Sequence, residues 1–209
     1  AVIRTAHQRL YDMVLSHGTR EVEENKEKLV RYNFFDDPFD DGDDGLFGLE
    51  RPLMNLISVF KAAAHGFGPE KRVLLLHGPV GSAKSTIVRL LKKGLESYAR
   101  SPEGALYTFA WNIDGELIPS PMNEEPLLLV PAHARDRILE GLNKKFRGGY
   151  RLRLDFDLSP VSRFYQDMLL KRYEGDWMKV LDHVVVRRLL ISEKDRGWPA
   201  FAPDRAVAS

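Results

Sequence analysis

Residues 73–86 read VLLLHGPVGSAKST, and this stretch decides how the rest of the sequence is interpreted. The four apolar residues 73–76 are typical of a central strand of a parallel sheet, which is covered on both faces. A glycine-containing turn follows and leads into Lys84 and Ser85. The spacing matches the phosphate-binding motif GxxxxGK[ST], except that Ala83 replaces the glycine before the lysine. The sequence therefore predicts a phosphate-binding loop between a strand and a helix.

The predicted loop contains the groups that bind nucleotide phosphates. Backbone amides of 81–84 are expected to bind phosphate oxygens, helped by the positive end of the following helix dipole. Lys84 would reach the β- and γ-phosphates, and the Ser85 hydroxyl would bind Mg²⁺, with Thr86 as a second candidate. The Cβ of Ala83 limits how closely the backbone can approach a phosphate. The predicted cofactors are ATP and Mg²⁺, with Ser85 as the metal ligand. The predicted binding residues are Gly78, Pro79, Val80, Gly81, Ser82, Ala83, Lys84, Ser85 and Thr86.

The segments around the loop predict an α/β fold. Apolar residues at helical spacing follow the loop, and residues 105–111 have the aromatic and β-branched content of a second strand. Strand, loop, helix and strand make a βαβ unit, so we predict a P-loop NTPase with a parallel sheet flanked by helices. Further helices are predicted over 52–64 and 132–146, and from Ser159 onward. The pattern of 177–192 fits a helix and a strand equally well. The helical residues after the loop are Ile87, Leu90, Leu91, Gly94, Leu95 and Tyr98.

The N-terminal region has two predicted helices followed by an acidic segment. The helices are expected over 3–14 and 20–32, the second as a charged, solvated helix. Residues 36–45 are rich in aspartate, but the spacing of a calcium-binding loop would place Arg51 where a bidentate glutamate is needed. We therefore expect a flexible acidic loop rather than a calcium site.

The composition excludes several classes of protein. Lys and Arg total 31 and Asp and Glu total 30, so the net charge of +1 gives no general attraction to nucleic acid or to an anionic membrane. With no cysteine, disulfides and thiolate metal sites are excluded. The apolar runs are too short to span a bilayer. We expect a cytoplasmic protein with neither nucleic acid nor a membrane as a partner.

The catalytic residues are not assigned by the sequence. Hydrolysis needs a carboxylate at the end of a neighbouring strand, and the patterns at 127–130, 152–155 and 189–193 do not identify one. Residues 133–136 and 155–157 lack the protein-kinase catalytic motifs. ATP is predicted over GTP because no aspartate suited to reading guanine is found.

Motifs along most of the chain resemble the PrkA family of bacterial proteins named serine protein kinases. The resemblance covers about residues 5–196 and extends well beyond the phosphate loop. The segments that carry it are 5–9 (TAHQR), 24–28 (ENKEK), 34–38 (FFDDP), 48–54 (GLERPLM), 73–95, 103–109 (EGALYTF), 122–127 (MNEEPL) and 192–196 (SEKDR).

This resemblance implies an AAA-type ATPase domain that binds ATP and Mg²⁺ within a serine protein kinase or ATPase. It implies a protein substrate and a homo-oligomer formed through the AAA-like domain. We expect an N-terminal helical extension with the acidic loop over 1–45, the nucleotide-binding domain over 46–196 and an irregular tail over 197–209. The family's acidic strand and kinase-like region would lie beyond residue 209, so we expect a fragment that is incomplete at its C-terminus. The alternatives are a catalytically incomplete, nucleotide-responsive regulatory module and a small-molecule P-loop kinase.

Overall fold

The computed structural model of the chain describes residues 3–24, 26–154 and 156–192. The helices are α1 (Ala6–Ser16), α2 (Glu50–His65), α3 (Lys84–Arg100), α4 (Ala132–Lys145), α5 (Pro160–Arg172) and α6 (Trp177–Leu181). The strands are β1 (Thr19–Glu24), β2 (Glu27–Tyr32), β3 (Leu106–Ile113), β4 (Glu116–Pro119) and β5 (Val184–Leu189). Short 3₁₀ turns cover Asn33–Asp36, Pro69–Lys71 and Pro126–Leu129. The predicted tail, 197–209, and the acidic residues Asp155 and Glu193 lie outside the described residues.

The chain folds into two compact units, which we name the loop unit and the sheet unit. The loop unit comprises Arg4–Gly104 and Gly148–Arg151. The sheet unit comprises Ala105–Arg147 and the described residues from 152 onward, together with Ile3. The division into domains at residues 45 and 196 stays a prediction.

Three helices build the core of the loop unit, in which α1 packs against α2 and α3. Gly94 lies on α3 where the helices approach closely, since a Cβ there would come within 2.5 Å of a ring carbon of Phe34 and 2.7 Å of the Met13 sulfur. The absence of a side chain at Gly94 therefore permits this packing. The most deeply buried side chains of the unit include Met13, Val14, Phe34, Phe35, Ile57 and Leu90.

Residues 20–24 and 27–32 lie in the antiparallel strands β1 and β2, so the charged helix predicted over 20–32 is wrong. In β2 the buried Leu29 and Arg31 alternate with exposed neighbours, which is the period of a half-buried strand. The Arg31 guanidinium binds the carboxylates of Asp36 and Glu50. These tertiary contacts fix the strand register and outweigh the helical preference of the charge-rich run.

The acidic segment 36–45, which we predicted as a flexible acidic loop, is folded into hydrogen-bonded turns. The carboxylate of Asp37, which is only 2% exposed, accepts hydrogen bonds from the backbone amides of Phe39 at 3.3 Å and Asp44 at 3.0 Å. The Gly45 amide donates to the Gly42 carbonyl at 2.9 Å. Local hydrogen bonds thus offset the repulsion between the like charges of this segment.

The sheet unit contains a three-stranded antiparallel sheet in the order β4-β3-β5, so the predicted parallel sheet is not formed among the described residues. The turn between β3 and β4 has φ +51° at Asp114 and +89° at Gly115. Positive φ at both central residues is typical of a two-residue hairpin, and Asp-Gly favours it strongly. We predicted no strand over 116–119, although the Asp-Gly pair before it is a signal of this hairpin.

The core of the sheet unit is one cluster of apolar side chains centred on β3. The rings of Phe109 and Trp111 meet edge to face with their centroids 5.5 Å apart. The buried cluster comprises Phe109, Trp111, Leu128, Leu129, Leu158, Leu169 and Val180.

The predicted start of α5 is confirmed, because the Ser159 hydroxyl accepts a hydrogen bond from the Ser162 amide at 3.2 Å and Pro160 is the first helical residue.

Residues 73–76 have no regular secondary structure, and the predicted strand before the loop is wrong for this structure. Val73 is 97% exposed and Leu75 is 80% exposed. A strand needs a neighbour to pair its backbone groups, and none of the described strands pairs with these residues. The predicted βαβ unit is therefore also absent from the described part of the chain.

The other predicted helices are present, with one difference in burial. α2 covers the predicted 52–64 and ends at Gly66, which has φ +77°. α4 covers most of 132–146, but no residue of α4 is fully buried and Ile138 is 42% exposed. The ambiguous segment 177–192 contains both alternatives, α6 followed by β5. Within the described residues, no helix has the length and hydrophobicity to cross a membrane.

Candidate phosphate-binding site

The predicted phosphate loop, 78–86, forms a tight turn that leads into α3. Gly81 has φ +82°, a conformation that favours glycine. A Cβ at Gly78 would lie 2.8 Å from the Ser82 hydroxyl oxygen, so this position needs glycine for close approach. The loop folds back on itself, since the Ser82 amide and hydroxyl both donate to the Pro79 carbonyl, at 3.3 and 2.8 Å.

Ala83, the one departure from the motif, has a left-handed backbone conformation with φ 58° and ψ 11°. It is the N-cap of α3, and its carbonyl accepts the first helical hydrogen bond from Ile87 at 2.9 Å. For an L-residue this conformation costs about 1–2 kcal/mol, whereas glycine adopts it freely. The Cβ of Ala83 therefore has two effects: it narrows the approach to a phosphate, as predicted, and it makes this backbone conformation costly.

Lys84 folds over the loop and binds its oxygen atoms. The ammonium nitrogen lies 2.9 Å from the Gly78 carbonyl, 2.6 Å from the Pro79 carbonyl and 2.8 Å from the Ser82 hydroxyl. An ammonium group has three N–H donors, so each donor has an acceptor in this arrangement. The lysine is therefore held at the loop, where the motif requires it.

The remaining predicted site residues differ in their exposure. Val80, at the tip of the loop, is fully exposed. Ser85 is exposed in the first turn of α3, and Thr86 is half-buried. The structure therefore brings Gly78, Pro79, Ser82 and Lys84 together and leaves the Ser85 hydroxyl accessible to solvent.

The buried face of α3 anchors the loop on the core of the loop unit. The predicted face is confirmed, since Ile87, Leu90, Leu91 and Leu95 are all buried. Because α3 begins at Lys84, the packing of this helix fixes the position of the lysine.

The opposite side of α3 binds the acidic segment, a contact that was not predicted from the sequence. The Arg89 guanidinium binds both carboxylate oxygens of Asp44, with an Nε to Oδ2 distance of 2.7 Å. The Lys93 ammonium binds Asp40 and lies 3.3 Å from Asp44. The sequence contained one signal of this contact: Arg89 and Lys93 are four residues apart, so both basic side chains lie on the same face of the helix.

These ion pairs also change the electrostatics around α3. The hydrogen bond from Arg89 lowers the pKa of Asp44, and the hydrogen bond to Asp40 raises the pKa of Lys93. The carboxylate oxygens of Asp37, Asp40 and Asp44 lie within 4.8 Å of one another. Because Arg89 and Lys93 bind two of these three carboxylates, protein side chains supply positive charge to this cluster.

The residues of the loop fit a phosphate group and a magnesium ion chemically. The N-terminus of α3 supplies unpaired amides and the positive end of a helix dipole, and Lys84 adds a full charge. The exposed hydroxyl of Ser85 is an oxygen ligand of the kind that Mg²⁺ takes, since this ion keeps several waters and uses few protein ligands. The arrangement can therefore bind phosphate oxygens together with their metal ion.

Comparison with known proteins places nearly the whole chain in one family. Residues 1–203 match the family described as the PrkA AAA domain. The protein named ATP-dependent protease PrkA from Bacillus subtilis (strain 168) is 36% identical over 204 residues, which cover 97% of this chain and 27% of that protein. The serine/threonine kinase YeaG of Escherichia coli (strain K12) is 24% identical over 163 residues, or 77% of this chain and 22% of that protein. No solved structure matches.

The chain spans about a quarter of the length of these two relatives. The family match covers the phosphate loop, α3 and both compact units, so it does not depend on the motif alone. It confirms the resemblance found in the sequence. The chain belongs to the PrkA AAA-domain family.

Proposed function

We propose that this chain binds ATP with Mg²⁺ through the loop 78–86. The observation that carries the proposal is the position of Lys84, which binds the Gly78 and Pro79 carbonyls directly at the N-terminus of α3. A lysine held between a glycine-containing turn and a helix N-terminus supplies the charge and the amides that phosphate oxygens need. The family membership favours ATP, because its description is that of an AAA domain.

The individual roles follow from the chemistry of each residue. Backbone amides of 81–84 bind the phosphate oxygens, and the Lys84 ammonium contacts the β- and γ-phosphates. The Ser85 hydroxyl binds Mg²⁺, which bridges the same phosphates. Gly78 allows the backbone to lie close to Ser82, and Gly81 adopts the positive φ of the turn. Ala83 is the residue with left-handed backbone conformation directly before α3.

The function of the whole protein is a wider proposal. One relative is named an ATP-dependent protease and the other a serine/threonine kinase. The first name states ATP dependence, and kinases in general transfer the γ-phosphoryl group of a nucleotide. We propose that residues 46–196 supply nucleotide binding to a larger cytoplasmic protein that acts on a protein substrate and assembles through the AAA-like domain. Hydrolysis also needs a carboxylate that orients the attacking water, and the sequence patterns leave that residue unassigned.

The test is equilibrium dialysis of radiolabelled ATP with the wild-type chain and with Lys84→Ala, in Mg²⁺ and in EDTA. A unit charge about 4 Å from a phosphate charge is worth roughly 1–4 kcal/mol, so Lys84→Ala should weaken ATP binding roughly 10-fold or more. Lys92→Ala, on the same helix, is the matched control and should bind as the wild type does. Equal binding by Lys84→Ala and the wild type, or no binding by either, would contradict the proposal.

Turnover measured in the same samples separates two functions of the bound nucleotide. ATP hydrolysis that is lost in Lys84→Ala would favour an ATPase. Binding without hydrolysis would favour the nucleotide-responsive regulatory module, which the left-handed Ala83 also supports, because this residue departs from the motif at a strained position.

A further inference from the structure

Residues Gly148–Arg151 form a strap that packs in the loop unit, although the segments before and after it belong to the sheet unit. The Tyr150 side chain is buried, and its hydroxyl donates a hydrogen bond to the Asp12 carboxylate on α1. The fully buried Gln8 side chain donates to the Arg151 carbonyl at 3.1 Å and to the Ala64 carbonyl at 3.0 Å. Side-chain contacts with α1 therefore hold two residues of the strap.

The third contact of the strap is made by His65, the last residue of α2. One ring nitrogen, Nδ1, lies 2.7 Å from the Lys61 carbonyl, and the other, Nε2, lies 3.0 Å from the Gly149 carbonyl. A carbonyl oxygen only accepts hydrogen bonds. A neutral imidazole has a single N–H, whereas an imidazolium has two. Both contacts are therefore hydrogen bonds only when the His65 ring is protonated.

The surroundings of the ring suit a cation. His65 lies at the C-terminus of α2, where the negative end of the helix dipole stabilises positive charge. The Phe67 and Tyr150 rings lie with their centroids 5.4 and 6.1 Å from the centroid of the histidine ring. A cation within about 6 Å of the face of an aromatic ring gains a favourable interaction, and of these two rings Phe67 lies within that distance.

We propose that His65 is a pH-sensitive clasp that holds the strap to α2 when its ring is protonated and releases Gly149 when the ring is neutral. The contact with Lys61 lies within one turn of α2, so the neutral ring can keep that bond. The contact with Gly149 spans 84 positions of sequence and is the one that is lost. Protonation therefore controls how firmly the strap is attached.

Other charged and titratable groups lie on the elements that pack near this end of α2. They are Lys61 on α2 itself, His7, Arg9, Tyr11 and Asp12 on α1, Arg4 just before α1, Glu70 and Lys71 on the turn Pro69–Lys71, and Tyr150 and Arg151 on the strap.

Burial raises the pKa of Tyr150, so its hydroxyl keeps its proton across the neutral range. Burial also raises the pKa of Asp12, which moves the titration of this carboxyl toward the pH range of the test, so its effect must be distinguished from that of the His65 ring.

The test is an NMR titration of the wild-type chain from about pH 5 to about pH 8, the range in which an ordinary imidazole changes its charge. The ring ¹⁵N shifts of His65 report its protonation, and the carbonyl ¹³C shift of Gly149 reports the hydrogen bond. We expect both to change with the same midpoint. A second measurement is the rate of tryptic cleavage after Arg151, divided by the rate for a free peptide with the same site. This ratio should rise roughly 10-fold as the pH increases, because the strap then loses one charged hydrogen bond.

His65→Gln should remove the pH dependence of both the Gly149 shift and the cleavage ratio. His133→Gln, which changes an exposed histidine of α4, is the matched control and should leave both unchanged. Tyr150→Phe removes the hydrogen bond to Asp12. If His65 is the sensor, the Gly149 shift and the cleavage ratio of this variant should still depend on pH. A single neutral tautomer of His65 across the whole range in the wild type would overturn the proposal without any variant. An unchanged titration of Gly149 in His65→Gln would overturn it as well.

Discussion

Two apolar runs, 73–76 and 106–113, both have the composition of a strand, yet only the second forms one. Residues 106–113 pair with β4 on one side and β5 on the other, and Trp111 within them is 1% exposed. Residues 73–76 pair with none of the described strands, and Val73 is 97% exposed. The difference shows that a β-prone run becomes a strand only where a neighbouring segment pairs with its backbone and covers its side chains.

The first partner of 106–113 comes from a local turn and the second from a distant segment. The Asp114-Gly115 turn brings β4 back along β3, whereas β5 joins from more than 70 residues further along the chain. Residues 73–76 lead instead into the phosphate loop, which turns into α3 and not into a hairpin. The loop sequence that favours phosphate binding therefore gives the run before it no local partner.

Trp111→Ala should have the largest effect on this comparison. The substitution leaves a cavity at the centre of the buried cluster, and loss of a buried aromatic residue costs about 3–5 kcal/mol. Urea unfolding followed by far-UV circular dichroism measures the change. A loss below about 1 kcal/mol would mean that β3 is not the centre of the core.

Gly115→Ala should have the next largest effect, because it strains the turn that supplies the first partner of β3. At φ +89° an alanine costs about 1–2 kcal/mol relative to glycine. Gly141→Ala is the matched control, since Gly141 lies within α4 and a Cβ added there would meet no atom within 4 Å. Alanine at that position should stabilise the helix by about 1 kcal/mol. Equal effects of the two substitutions would contradict the hairpin geometry.

Ala83→Gly should stabilise the chain by up to about 1 kcal/mol, and it tests the segment that separates 73–76 from α3. Glycine removes the cost of the left-handed conformation in the folded state, about 1–2 kcal/mol. This gain exceeds the stabilisation of the unfolded state by the greater conformational entropy of glycine, about 0.4–1 kcal/mol. Ala99→Gly, in the last turn of the same helix, should instead destabilise the chain. Thermal unfolding measures the stability change in both variants. A loss of stability in Ala83→Gly would refute the left-handed conformation of residue 83.

Leu75→Ser should have the smallest effect, within about 0.5 kcal/mol of the wild type, because an exposed side chain loses little on substitution. Leu189→Ser, in β5, changes a residue that is 1% exposed and should cost several times more. Urea unfolding of the two variants compares the runs directly. A cost above about 2 kcal/mol for Leu75→Ser would show that 73–76 is packed in solution.

The sequence predicted the features that depend on neighbours along the chain. The face of α3 follows from apolar residues three and four positions apart, and the start of α5 follows from Ser159 and Pro160. Lys84 was placed by the motif alone, and the structure holds it at the loop oxygens. These features are local, so their signals lie in adjacent residues.

The features that the sequence did not predict depend on distant partners or on competing local signals. The pairing of β3 with β5 is a choice among remote segments, which no periodic pattern specifies. The helix predicted over 20–32 was wrong because the contacts of Arg31 with Asp36 and Glu50 favour a strand. The Asp114-Gly115 hairpin was predictable, since its turn signal lies in two adjacent residues.

The three hydrogen bonds of Lys84 have a thermodynamic consequence for any anion that the loop binds. Each N–H of the ammonium group already has an oxygen acceptor 2.6–2.9 Å away, so a phosphate oxygen must replace one of these acceptors. Binding then exchanges hydrogen bonds instead of adding one, and the net enthalpy from this lysine is small. The affinity that Lys84 contributes is therefore mainly Coulombic, and it should weaken steadily as the ionic strength rises.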